Sequence, residues 1–223
     1  MMWKKDYLDI VLVPSGLLIM FGYHLTLLYR CIRSPANTVI GFENHSRRAW
    51  VSKTMQVDVD NRGTAFTVLS NCLSAATFMA STSLALTSLI GTWVGSSSSQ
   101  LPATRFVYGS TSSSVTYIKF ISIQIFFWLS FGAFIQCARS YVHANFLMSM
   151  PQADVPEEYV EQAVIEGSHY WQLGLRAIYF AATLLMWTFG PIPMFICSVS
   201  LVMILYSLDN NNTPFHDFQP KSG

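Results

Sequence analysis

Charge is what this chain has least of. Asp, Glu, Lys and Arg make up 11% of its 223 residues, under half of the roughly 25% usual in a soluble domain. The net charge of +1 excludes the dense basic footprint that a nucleic-acid-binding surface needs. No Asp or Glu lies in the apolar runs after residue 64, so a carboxylate relay of the kind used by proton-coupled pumps has no seat there. Cysteine is sparse as well. Cys31, Cys72, Cys137 and Cys197 stand far apart with no C-x-x-C pair, which argues against a zinc site or a disulfide framework and leaves them as small buried apolar residues. The chain also lacks paired intramembrane aspartates, a G-x-S-x-G turn, a Gly-rich phosphate loop and a histidine cluster with metal-ligand spacing. An enzyme is therefore the least favoured class, and neither a cofactor nor a metal is expected.

What is present is apolar length. Hydrophobic residues make up 52% of the chain and the mean hydropathy is +0.37. Leu8–Leu28, Ala65–Trp93, Ile118–Gln136 and Ala177–Leu208 each approach or exceed the ~20 apolar residues that cross a bilayer as a helix. The expected fold is all-α: a polytopic membrane protein with four transmembrane helices in a bundle and cytosolic helical extensions. It forms a single domain over residues 1–208 with a short polar tail over 209–223. Lys4 and Lys5 precede the first run as they would in a signal peptide, but Asp6 and Asp9 interrupt it without a small-residue cleavage site, so a retained first span is expected. In the fourth run, Gly190-Pro191-Ile192-Pro193 reads as a proline kink in one over-long, tilted helix, with two half-helices whose freed carbonyls coordinate ions as the alternative.

Four spans place both termini on one side. Arg30, Arg33, Arg47, Arg48, Lys53, Arg62, Arg139 and Arg176 lie on the other, against Lys4, Lys5, Arg105, Lys119 and Lys221. Eight against five puts the long connections in the cytosol and the termini outside it. The segment from Asn44 to Gly63 is expected to be helical and to run into the second span, and the third to continue from Gln136 to Met150, where Pro151 and Pro156 end it. Ser96–Ser99 and Ser112–Ser114 read as flexible linker. The first cytosolic connection is basic and the second acidic, through Asp154, Glu157, Glu158, Glu161 and Glu166. The two are expected to dock on each other; alternatively Arg47, Arg48 and Lys53 form a basic face for anionic lipid headgroups.

Helical spacing picks out the candidate sites. Ser70, Ser74, Thr77, Ser81, Ala85 and Ser88 form a small-residue stripe suited to close helix packing, or to a hydroxyl-lined path if the protein forms homo-oligomers. Polar residues gather near the cytosolic ends of three spans: Asp60 and Asn71 on the second, Gln136, Arg139 and His143 on the third, His169, Arg176 and Tyr179 on the fourth. Asp60 is expected to pair with Arg139 or Arg176 and hold the helices in register, with a ligand or ion vestibule as the alternative.

Arg47-Arg48-Ala49-Trp50 followed by Arg62-Gly63, then Ala80-Ser81-Thr82, then Gly174-Leu175-Arg176-Ala177-Ile178-Tyr179-Phe180 with Trp187 and Pro191, resemble the bacterial and plant membrane family catalogued as domain of unknown function 599. The resemblance covers about Thr38 to Leu208. It implies a four-helix integral membrane protein, with length and linker style similar to a plant member, and no activity. The function expected is that of a non-enzymatic scaffold or accessory subunit in the plasma membrane or secretory pathway; the alternative is a small oligomeric channel or transporter.

Overall fold

The structure is a computed structural model that describes residues 5–96, 113–151 and 155–213, and among these every helix or strand assigned is a helix, apart from an isolated bridge between Thr38 and Asn210. The order is α1 (Lys5–Arg33), α2 (Val39–Met55), α3 (Gly63–Ser96), α4 (Ser113–Met148), α5 (Glu157–Trp187) and α6 (Pro191–Asp209), with short 3-10 turns at Pro35–Asn37 and Val59–Asn61. Among the described residues four stretches, Leu8–Arg33, Gly63–Thr92, Ser114–Met148 and Pro191–Asp209, are long and apolar enough to cross a membrane. The chain is a polytopic helical membrane protein.

Local chemistry sets the helix ends. The Thr38 hydroxyl accepts the Gly41 N–H at 3.1 Å, an N-cap that satisfies one of the orphan donors opening α2. Helix α4 stops at Met148, just ahead of Pro151, as its sequence requires. Pro156 precedes α5, and Glu157 and Glu158 in its first turn lie where the helix dipole favours negative charge.

Packing divides the chain into two compact units. Unit 1 holds Met1–Thr26, Met79–Ala133 and Leu173–Ser207; unit 2 holds Leu27–Phe78, Phe134–Gln172 and Leu208–Gly223. The core of unit 1 is built from Val13, Ile123, Phe127, Leu184, Trp187 and Met194 among others. That of unit 2 is built around Met55, Leu69, Cys137, Tyr141, Met148 and Val160. In unit 2 the absence of a side chain at Gly167 lets α5 lie against the Tyr141 ring, where an added Cβ would come within 2.8 Å.

Two expectations fail. The fourth apolar run is not one kinked helix: α5 enters unit 1 and ends at Trp187, and α6 returns the chain to unit 2, where α5 began. Gly190 makes this reversal with φ 138°, a region that side chains rarely adopt, and Pro191 opens α6 at a position where its missing N–H costs nothing. The chain thus passes between the units five times. Nor does Asn44–Gly63 run unbroken into the second span, because α2 ends at Met55 and α3 restarts at Gly63. Of the Ser-rich segment, Ser97–Ser99 and Ser112 lie outside the described residues.

The Gly190→Ala variant is expected to lose about 1–3 kcal/mol of stability through backbone strain, read as a lowered thermal unfolding midpoint in detergent; an unchanged midpoint would show that the turn tolerates a Cβ.

Candidate functional site

Unit 2 is organised by a guanidinium. Arg62 is 3% exposed and sits on the short link between α2 and α3. Its Nη2 donates to the Met55 carbonyl at 3.0 Å, Nε to Val57 at 2.8 Å, and Nη1 to Met148 at 2.9 Å and Met150 at 3.2 Å. Met55 and Met148 are the last residues of α2 and α4, so one side chain caps both helices. The negative end of each helix dipole supplies the compensation that a carboxylate would otherwise give a buried cation. Arginine suits the task because its planar fork carries five donors at fixed angles. The Arg62 carbonyl also accepts from Ala65 and Phe66 at 2.9 and 3.1 Å, which starts α3.

On the surface of the same unit, α2 meets α5 through polar groups. Arg48 Nε contacts Glu161 Oε1 at 2.9 Å, and Arg47 pairs with Glu43 within α2 at 3.0 Å. The Ser168 hydroxyl donates to Asn44 Oδ1 at 3.2 Å, while Asn44 Nδ2 lies 3.1 Å from His169 Nε2; with the ring neutral at Nε2, the amide donates and the imidazole accepts. Burial pushes the His169 pKa below the usual histidine value, the neighbouring charges of Arg48 and Arg47 push it the same way, and Glu166 opposes them. A cavity of about 410 Å³ opens here, lined by Arg48, Glu158, Glu161, Gln162, Ile165, Glu166 and His169. Among the described residues no group of three His, Cys, Asp or Glu is placed to hold a metal ion. The basic and acidic connections thus meet through Arg48 and Glu161, while Arg47 is engaged within α2 by Glu43.

Unit 1 has its own polar node. The Trp187 indole N–H donates to Asp9 Oδ1 at 2.7 Å, and Lys119 Nζ lies 5.3 Å from the centre of the Trp187 ring. Asp9 and Lys119 also interact electrostatically. Exposures of 7%, 5% and 8% for Asp9, Lys119 and Trp187 mean that both charges are withdrawn from solvent and hold each other there. Nearby in the unit, Phe180 stacks on Phe126 at 5.0 Å and tilts against Phe21 and His24.

The residues singled out by helical spacing are largely dispersed. Asp60 is exposed on the Val59–Asn61 turn, Arg139 is exposed on α4, and Arg176 belongs to unit 1. Among the described residues of unit 2, Asp60 forms no ion pair with Arg139; the carboxylates paired there are Glu43 and Glu161. Asn71, Gln136 and His143 face outward. Arg176 does meet Tyr179, with its guanidinium carbon 5.8 Å from the ring centre, and His169 finds Asn44. The small stripe of Ser70, Ser74, Thr77, Ser81, Ala85 and Ser88 is exposed along its whole length. The buried side of α3 is instead Leu69, Ala76, Ala80, Ser83 and Thr87, where Ser83 and Ser130 share a hydrogen bond at 3.0 Å. Within this chain the stripe is therefore no helix interface. Arg62, Asp9, Lys119 and Asn44 were not among the candidate site residues. Their partners are backbone carbonyls or residues far away in the chain, so no local spacing marked them.

Residues 11–214 match a family described as "Protein of unknown function, DUF599". No curated protein matches the chain, and neither does any solved structure.

Replacing Arg62 with Met should leave four carbonyl contacts of two helix ends unmade and lower stability by at least about 3 kcal/mol, since one buried unsatisfied group alone costs about 1–3 kcal/mol. Asp60→Ala, at an exposed site, should stay within about 0.5 kcal/mol of wild type; chemical unfolding in detergent decides, and equal losses would sink the assignment. A second expectation concerns pH. Because the folded-state His169 pKa is depressed, its contribution to stability is present above the unfolded value of about 6.5 and is lost as pH falls through the folded value. Unfolding midpoints should fall between pH 7.5 and 5, and His169→Gln should flatten that slope; a slope unchanged in the variant would show that His169 is not responsible.

Proposed function

The chain belongs to the DUF599 family, and for this member we propose a non-enzymatic role as a membrane scaffold or accessory subunit that assembles through the outward face of α3. The observation that carries the reading is the direction of that face. Ser70, Asn71, Ser74, Thr77, Ser81, Ala85 and Ser88 are exposed on a helix of membrane-crossing length. Small residues at steps of three and four admit a second backbone closely, and a carboxamide such as that of Asn71 gains from a hydrogen-bonding partner in lipid. A second copy of the chain would supply both. The hydroxyls of Thr67, Thr77, Ser88 and Thr92 donate to their own helix, which favours packing over lining water. A small oligomeric channel or transporter is the second reading, favoured by the exposure of Gln136, Arg139 and His143, which in an assembly could form a cytosolic vestibule.

The distribution of charge supports an orientation. Unit 2 contains Arg30, Arg33, Arg47, Arg48, Lys53, Arg62 and Arg139, against Lys5, Lys119 and Arg176 among the described residues of unit 1. By the positive-inside rule the connection that carries Arg47, Arg48 and Lys53 faces the cytosol. With four spans, both termini are then extracytosolic. A plant source and a plasma-membrane or secretory-pathway address complete the reading.

In a variant with the four native cysteines replaced, Ser74→Cys and Ser81→Cys should each form cross-linked dimers in membranes under mild oxidation, whereas Ile125→Cys on the outward side of α4 should not. A detergent-solubilised mass of one chain, without cross-links, would overturn the assembly. Ionic current from the reconstituted protein would replace the scaffold with the second reading.

A further inference from the structure

We infer that the outward face of α4 around Arg139 binds the headgroup of an anionic phospholipid. This site is distinct from the basic face of α2, where Arg47 and Arg48 are engaged by Glu43 and Glu161. Arg139 is exposed, and no carboxylate pairs with it among the described residues. Helix α4 itself, Ser113–Met148, contains no Asp or Glu. A guanidinium on the outside of a membrane-length helix needs an anion, and the described residues provide none.

The position along α4 identifies the anion. The outward side of the helix reads Ile118, Ile121, Ile125, Trp128, Leu129 and Ile135, a lipid-facing run that ends at Gln136. At about 1.5 Å per residue, Arg139 stands about 5 Å beyond that end, at the level of lipid phosphates. The span Ser114–Met148 has 35 residues, roughly 50 Å of helix against a hydrocarbon core of about 30 Å, so part of α4 must emerge. Gln136, Arg139 and His143 follow at steps of three and four, which stacks their side chains on one stripe. The amide and imidazole N–H groups can therefore converge on the phosphate that Arg139 holds with two parallel bonds. Ile135, exposed at 44%, with Leu129 and Trp128 behind it on the hydrocarbon side of Arg139, offers the apolar surface that a lipid glycerol and upper acyl chain would cover. A soluble anion would leave these side chains in water; a phospholipid covers both parts. The inference stands whether or not α3 mediates assembly.

The test uses the full chain in nanodiscs of equal phosphatidylserine and phosphatidylcholine, with the lipids retained after detergent extraction counted by native mass spectrometry. Wild type should retain phosphatidylserine in excess, and Arg139→Gln should reduce that excess about five-fold, the effect of one cation near an anionic surface. Arg48→Gln should leave it unchanged. A photoactivatable phosphatidylserine should label wild-type residues 135–146, which decides the matter even if Arg139→Gln does not fold. Retention of the two lipids in equal amounts, a full preference in Arg139→Gln, an equal loss in Arg48→Gln, or labelling elsewhere would each overturn the inference. If Arg139→Gln instead dissociates an oligomer with its lipid preference intact, the face is a protein contact and the inference fails.

Discussion

The Arg62 guanidinium is the constraint on which unit 2 depends. Two helices, α2 and α4, finish beside each other with carbonyls that no later turn of helix can satisfy, and one side chain from the start of α3 answers both. A cation is tolerable there because the charge it faces is distributed over peptide dipoles, and its cost of desolvation is met by four short hydrogen bonds rather than by a single counter-ion. The break between α2 and α3 follows from the same geometry. Had the helix run unbroken from Asn44, Arg62 could not have turned back to reach Met55, and the chain would have had to leave the end of α4 open.

Unit 1 is fixed differently. There one carboxylate and one ammonium, Asp9 and Lys119, are both buried and both in contact with Trp187. The indole serves as hydrogen-bond donor at its edge and as an electron-rich face for Lys119. Because α1, α4 and α5 each contribute one member, the node sets the mutual register of three helices, a specific polar link in surroundings where apolar packing alone would allow sliding.

The all-helical class and the membrane-length stretches could be read from the chain because hydropathy is a local sum. The end of α4 ahead of Pro151 and the docking of α2 on α5 followed from local rules as well. Directions could not be read. Helical spacing identifies residues that share a face, but in a bilayer the lipid-facing side is as apolar as the core, so nothing in α3 tells whether Ser74 or Ala76 points inward. The Asp9–Trp187 bond joins residues 178 positions apart, and the acceptors of Arg62 are backbone atoms without a side-chain signature. The break at Gly190 was legible in part, because glycine just after one helix and proline at the first position of the next are stop and start signals; the apolar length on both sides favoured a kink over two helices. Helix α5 is not among the four apolar stretches because its first half carries Glu157, Glu158, Glu161 and Glu166.

The serines and threonines of α3 have a mechanical consequence. Thr67, Thr77, Ser83, Thr87, Ser88 and Thr92 each donate to a carbonyl one turn earlier, so six peptide oxygens divide themselves between a backbone N–H and a hydroxyl. Shared acceptors weaken the axial ladder and favour bending. Helix α3 is thereby suited to bend where a neighbour requires it.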